Sequence, residues 1–217
     1  MNYRFVAIEG NIGAGKTTLC HLLAARFGCA LVLEQFTDNP FLPYFYEHPE
    51  RYAFPVELFF MTERHKQLLE HFAQPDMFRS FTVADYFFVK TLLFAKNNLN
   101  EEEFRLFNRL FTVLNATFHK PDLLLYLHRP VDVLLQQIQN RGRDMERLIT
   151  GEYLEELQNA YLEYFKSETD TPVLILELDG ADFVQDTTVF EALAGLLNQS
   201  FSPGIQYLPW RKIPNAR

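Results

Sequence analysis

The segment IEGNIGAGKTTLCHLLAARFG constrains the fold more than any other stretch of the chain. Gly10, Asn11, Ile12, Gly13, Ala14, Gly15, Lys16 and Thr17 fit the spacing G-x-x-x-x-G-K-[ST], and Thr18 follows. Ahead of them YRFVAIEG is a short apolar run ending in glycine, which reads as a buried strand. Behind them KTTLCHLLAARFG reads as a helix with Gly28 as its stop. A strand, a glycine-rich turn and a helix in that order make a phosphate cradle. The glycines let successive N–H groups converge on phosphate oxygens, and the helix aims its positive end at the same point. Lys16 can reach the β- and γ-phosphates, and Thr17 can hold Mg²⁺. The motif therefore specifies a nucleoside triphosphate, but an ATPase, a GTPase and many small-molecule kinases share it.

The same alternation continues. ALVLEQF, SFTVADYFF, PDLLLYLHRP and PVLILELD read as four further strands. Helical stretches separate them: ERYAFPVELFFMTERHKQLLEHFA with Pro55 near its start, FVKTLLFAKNN, NEEEFRLFNRLFTVLNATFH with Asn100 as N-cap, VDVLLQQIQN, and TGEYLEELQNAYLEYFKS. FVQDTTVFEALAGLLNQ closes the core as a helix. Five short buried strands alternating with helices predict an α/β fold: a five-stranded parallel sheet with helices on both faces. Residues 1–200 are expected to form one domain, and residues 201–217 a loop-like tail.

The 217 residues carry a net charge of −8, which argues against a nucleic-acid partner, because backbone binding needs a basic face. No run is apolar enough to span a bilayer, and no basic segment precedes an apolar one at the start, so a cytoplasmic protein is expected. Cys20 and Cys29 lack metal spacing and read as reduced thiols. The 22 Phe and 10 Tyr are unusual; most are expected in the core, and a surplus of aromatics also suits a slot that stacks a flat ring.

Ligands of parallel sheets sit beyond the carboxyl ends of the strands, so chemistry is sought there. Glu34 ends the second strand. A carboxylate there can take the proton of an attacking hydroxyl, and it repels an acceptor that already carries phosphate. An uncharged alcohol is thus favoured as acceptor. Arg141, Arg143 and Arg147 cluster in NRGRDMERL between two helices. On a closing segment they can neutralise charge on a transferred phosphoryl group.

These residues, in this order, resemble the deoxynucleoside kinase family over about residues 3–197. The resemblance rests on IEGNIGAGKTT, FYEHPERYAFPVELFFMTER, RGRDMERLITGEYLEELQNAY and LDGADF. It implies a P-loop kinase fold with an arginine lid, and ATP-dependent phosphorylation of a deoxynucleoside 5′-hydroxyl for nucleotide salvage. It further implies that Glu34 is the general base, and that Tyr46 and Glu152 hold the 3′-hydroxyl. Tyr46 would also crowd a 2′-hydroxyl. Arg141, Arg143 and Arg147 would form the lid, and Asp182 and Phe183 would lie beside the donor adenine. A homodimer through the long helices and inhibition by a deoxynucleoside triphosphate complete the implied picture.

Two departures from the family pattern matter. The base-reading glutamine falls on Glu57, with Arg64 two helical turns further on. An ionised glutamate only accepts, and guanine offers N1–H and the N2 amine side by side. Arg64 can serve its O6 and N7. Deoxyguanosine is therefore the favoured substrate and deoxyadenosine the second. After the third strand the family's acid–Arg–Ser becomes Asp85–Tyr86. Asp85 is expected to supply a carboxylate for water-bound Mg²⁺, and either Lys90 or Arg79 is expected to replace the arginine. Competing readings are a thymidylate-like monophosphate kinase, which Glu34 opposes, and a nucleotide-switched binding module such as a GTPase, whose N-K-x-D stretch is missing.

Overall fold

The structure is a computed structural model that describes residues 2–35, 39–73 and 79–213. Six parallel strands form one sheet in the order β2-β3-β1-β4-β5-β6. They are β1 (Phe5–Gly10), β2 (Ala30–Val32), β3 (Thr82–Ala84), β4 (Leu123–His128), β5 (Pro172–Glu177) and β6 (Gly204–Pro209). The helices are α1 (Lys16–Phe27), α2 (Leu42–Phe45), α3 (Pro49–Ala73), α4 (Lys90–Asn98), α5 (Glu101–Asn115), α6 (Val131–Arg141), α7 (Gly151–Ser167) and α8 (Thr187–Gly195).

Side-chain alternation along the strands explains the two helical layers. Val6 and Ile8 of β1 pack with Leu123, Leu125 and Leu127 of β4 and with Leu19 and Leu23 of α1 and Leu193 of α8. Phe5 and Ala7 point the other way, toward Met61 and Leu68 of α3 and Phe107 of α5. Leu124 and Tyr126 of β4 turn to Tyr161 and Phe165 of α7. Because both faces are covered, the central strands are apolar at nearly every position.

The expected five strands become six. Gly204–Pro209, within the expected loop-like tail, pairs in parallel with β5 from Pro172↔Gly204 to Glu177↔Pro209, and residues 214–217 of that tail lie outside the described residues. It escaped sequence reading because Gly204–Pro209 (GIQYLP) contains two residues usually counted as breakers, and its positions are only half-buried. An edge strand tolerates both features. Beyond it Trp210 donates from Nε1 to the Asp179 carbonyl at 2.9 Å, and Ile213 is buried. The second strand is shorter than expected, and so is the third. Pro49, not Glu50, begins α3, so that Pro55 lies inside the helix rather than at its entry. The expected Asn100 cap is present as a full capping box with Glu103.

The topology positions the site. β1 and β3 are neighbours in the sheet but are separated in the chain by α1, β2, α2 and α3. Their carboxyl ends therefore open into a crevice between diverging connections. A chain ending at Pro203 lacks β6 and uncovers the edge of β5. It should melt at least about 4 °C lower than the full chain by calorimetry; an unchanged melting temperature would show that β6 contributes nothing.

Candidate active site

The phosphate loop joins β1 to α1 and is built on close backbone approaches. Gly13, at φ +83°, would bring a Cβ within 2.9 Å of the Leu134 carbonyl oxygen. Gly15, at φ +94°, would bring one within 2.9 Å of the Phe183 ring. Neither position accepts a side chain. Asn11 is buried and ties the loop to α7 by donating from Nδ2 to the Leu154 carbonyl at 2.7 Å. Lys16 curls over the loop, donating from Nζ to the Gly10 and Asn11 carbonyls at 2.8 Å each. Burial and the Lys90 charge pull its ammonium down to about 8, against the pull of Glu9, Glu34 and Asp85.

The loop separates two cavities. One is lined by Lys16, Thr17, Glu34, Tyr46, Glu57 and Arg64, and further by Asp85, Lys90, Phe94 and Asn98. The other lies behind Gly13, Ala14, Gly15 and Thr18 and is walled by Arg129, Asp182 and Phe183. The expected acceptor residues thus gather on one side of the loop and the expected adenine-facing residues on the other. In the second cavity Asp182 Oδ1 accepts from the Val184 and Gln185 amides, at 2.9 and 3.1 Å. Arg129 holds this loop by donating to the Ala14, Leu178 and Ala181 carbonyls. Its guanidinium also lies 5.5 Å from the Phe183 ring centroid. Arg129 was not singled out in the sequence.

Glu34 is the hub of the first cavity. Arg64 reaches its Oε1 from Nε at 2.7 Å and from Nη2 at 2.6 Å. Lys90 Nζ reaches its Oε2 at 2.5 Å. Burial alone would raise the carboxyl pKa, but the two cations overcome it and hold Glu34 well below the usual carboxylate range. Its backbone amide donates to Asp85 Oδ1 at 2.7 Å, and the Thr17 hydroxyl donates to Asp85 Oδ2. Of the two candidates for the missing arginine, Lys90 stands at Glu34, whereas Arg79 donates to the Cys29 carbonyl at the opposite ends of the strands.

Glu57 is 1% exposed. Its Oε1 accepts from Asn98 Nδ2 at 2.7 Å, and its Oε2 is buried with no hydrogen-bond partner. Burial pushes its carboxyl up to about 7, with Glu34 adding to the rise, while Arg64, Asn98 and Lys90 oppose it. Tyr46 packs edge-on to Tyr153, 6.2 Å between centroids. Burial and the Glu146 and Glu57 charges push its phenol up, so it stays a neutral donor. Glu152 lies in the first turn of α7, exposed and outside the cavity lining, where its neighbour Tyr153 stands instead.

The arginines expected to form a lid are all paired. Arg141 pairs with Glu146 Oε2 through Nε and Nη2, and Arg143 pairs with Oε1 at 3.2 Å. Both line the acceptor cavity. Arg147 is 75% exposed at its side chain and pairs with Asp144 at 2.7 Å. Glu146 carries the only sequence signal for this latch, an acidic residue three to five positions from two arginines, and the signal is weak. Glu9 was likewise missed. It is fully buried beneath the loop, accepting the Phe87 amide at 2.6 Å and the Tyr161 hydroxyl at 2.9 Å. Its signal was a charge inside an otherwise apolar strand.

A phosphate loop between two cavities, one of them holding a bridged carboxylate, is the arrangement expected of a phosphotransferase. A family model described as Deoxynucleoside kinase matches residues 6–201. Deoxyguanosine kinase of Bacillus subtilis (strain 168) is 36% identical over 200 residues, covering 88% of this chain and 94% of that protein. Deoxyadenosine/deoxycytidine kinase of the same organism is 30% identical over 196 residues, covering 86% and 88%. The solved structure of deoxyadenosine kinase from M. mycoides with bound dCTP matches with a TM-score of 0.75 at 25% identity, covering 89% of this chain and 98% of that one. The chain belongs to the deoxynucleoside kinase family, and it is a deoxynucleoside kinase.

The Glu34 bridge has a measurable consequence. Lys90→Met leaves the carboxylate with Arg64 alone, so its pKa rises. In a Glu57→Gln background, which removes the other carboxyl that Lys90 influences, the acid limb of kcat/KM should move to higher pH than with Lys90 present, where the depressed Glu34 stays ionised throughout the mildly acidic range. Coincident acid limbs would mean that Lys90 does not hold the Glu34 charge.

Proposed function

We propose that this kinase transfers the γ-phosphoryl group of ATP to the 5′-hydroxyl of a purine 2′-deoxynucleoside, with deoxyguanosine preferred. One observation carries the choice of base: the buried, unpartnered Oε2 of Glu57 inside the cavity that also holds Glu34. A buried acceptor without a partner costs stability, so a ligand donor that meets it gains selectivity. An ionised Glu57 offers acceptors only, which suits the paired donors of guanine. The resemblance to the Bacillus subtilis deoxyguanosine kinase is in keeping with this reading.

In this scheme Glu34 accepts the hydrogen bond of the 5′-hydroxyl and then its proton. A strongly depressed carboxylate is a weak base, but in a loose transition state the nucleophile needs orientation more than early deprotonation. Arg64 and Lys90 keep the carboxylate in one position, which lowers the cost of alignment. Lys16, Arg141, Arg143 and Arg147 neutralise the triphosphate, the first two lid arginines leaving Glu146 as they close. Tyr46 contacts the sugar, and Glu152 joins it once the lid segment and the start of α7 move inward. The adenine of ATP lies against Asp182 and Phe183.

Thr17 and Asp85 fit a magnesium ion, because Mg²⁺ takes one or two protein oxygens and completes its shell with phosphates and water. Bound Mg²⁺ supplies charge neutralisation on the phosphates. The exposed Leu106, Leu110 and Val113 of α5 recur at helical spacing and give a second copy of the chain an apolar stripe to cover.

A panel of the four deoxynucleosides with ATP tests the reading. Deoxyguanosine should show the highest kcat/KM, and Glu57→Gln should reduce its advantage over deoxyadenosine by at least about tenfold. An unaltered preference in Glu57→Gln would remove Glu57 as the base reader.

A further inference from the structure

Glu57 stands in an unusual balance. It faces Arg64 from its own helix, Glu34 and Tyr46 from the segment after β2, Lys90 and Asn98 from α4, and Tyr153 from α7. Arg141 and Glu146 line the open side of the same cavity. Yet the nearest cation serves another group. Arg64 directs its hydrogen bonds to Glu34 and to the Thr91 hydroxyl, at 3.0 Å for the latter. The hydrogen bond that Glu57 does receive comes from Asn98, a neutral amide. The long contact from Asn97 Nδ2 to Asn98 Oδ1, 3.4 Å, is consistent with Nδ2 facing Glu57, and Tyr153 also engages the Asn98 side chain. A donor aimed at a carboxylate oxygen stabilises the ionised form over the neutral one.

The two protonation states of Glu57 present different faces to a base. Ionised, the carboxylate shows two acceptors and matches the adjacent donors N1–H and N2 amine of guanine. Neutral, it shows one O–H donor beside one acceptor, the pattern of an amide. That face matches the amine and adjacent ring nitrogen of adenine or cytosine. We propose that Asn98 is a specificity-determining residue of this kinase: by holding Glu57 ionised it selects guanine, and protonation of Glu57 converts the same pocket to adenine or cytosine. The proposal rests on Glu57 being the base reader. Asn98 acts through Glu57 and is therefore a positioning residue. Burial supports a transition near neutrality, since it pushes the carboxyl up to about 7.

The sign follows directly. As pH falls, the neutral fraction grows, and kcat/KM for deoxyadenosine rises relative to deoxyguanosine. If each base binds one protonation state, the ratio of the two kcat/KM values changes by about tenfold per pH unit. Taking the ratio cancels ionisations of Glu34, Lys16 and the lid that both substrates share.

The experiment measures that ratio from about pH 6 to about pH 8.5 for the wild type, Glu57→Gln and the isosteric Asn98→Asp. The wild-type ratio should climb steeply with pH in favour of deoxyguanosine. In Asn98→Asp the donor is replaced by a second carboxylate, so the whole curve should shift to higher pH, lowering the ratio at about pH 7.5 by about tenfold or more. Glu57→Gln should be flat and low. A flat wild-type ratio overturns the proposal even if Asn98→Asp does not fold, and a wild-type slope with a folded Asn98→Asp on the same curve overturns the role of Asn98. In both cases a changed selectivity in Glu57→Gln leaves the base-reader assignment standing. A Glu57→Gln ratio equal to the wild-type ratio at every pH overturns both.

Discussion

The bridge from Arg64 and Lys90 to Glu34 is the interaction on which the rest of the site depends. Three charges from three segments meet in a space where neither cation is more than 6% exposed. Each alone would be costly to bury, and removing one partner leaves an uncompensated charge at about 3–5 kcal/mol. The carboxylate therefore cannot drift. Its backbone is fixed as well, through Asp85, which in turn receives the Thr17 hydroxyl of the phosphate loop. One continuous chain of polar contacts thus runs from the loop, through the ends of β3 and β2, to α3 and α4. That chain ties the Glu34 carboxylate to the phosphate loop.

Electrostatics then divides the labour among carboxylates that look alike in the sequence. Glu34 is held ionised by two cations. Glu9 has Tyr161 and the Phe87 amide as direct partners, and burial raises its carboxyl. Glu57, with one neutral donor, sits near the point of balance. Glu146 pairs with both Arg141 and Arg143. Three of these glutamates line one cavity and Glu9 lies buried beneath the loop, and the four environments differ, so one residue type is held in four electrostatic states.

Much of this was legible from the amino-acid order, and the parts that were not share physical causes. The phosphate loop, the central strands and the Asn100 cap follow from local rules that act over a few residues. Glu34 was found because strand ends in parallel sheets point at ligands. The sixth strand was hidden because edge strands need no continuous apolar run. Asn98 and Arg129 were hidden because their meaning lies in partners 41 and 52 residues away, which no local pattern encodes, and Glu146 because an acid three to five positions from two arginines is a weak pattern. Glu152 stands outside the cavity although its motif is intact, since a motif records which residue is present and not which way a helix end is turned.

The most direct test of the account is a comparison of ATP binding and phosphoryl transfer in Glu34→Gln. The amide keeps the shape of the side chain but loses the charge that Arg64 and Lys90 embrace. Calorimetry should find ATP still bound with little change in affinity, while the turnover of deoxyguanosine falls by about 10²–10⁴-fold. Turnover at the wild-type rate in the folded variant would contradict the claim that the bridged carboxylate receives the sugar hydroxyl.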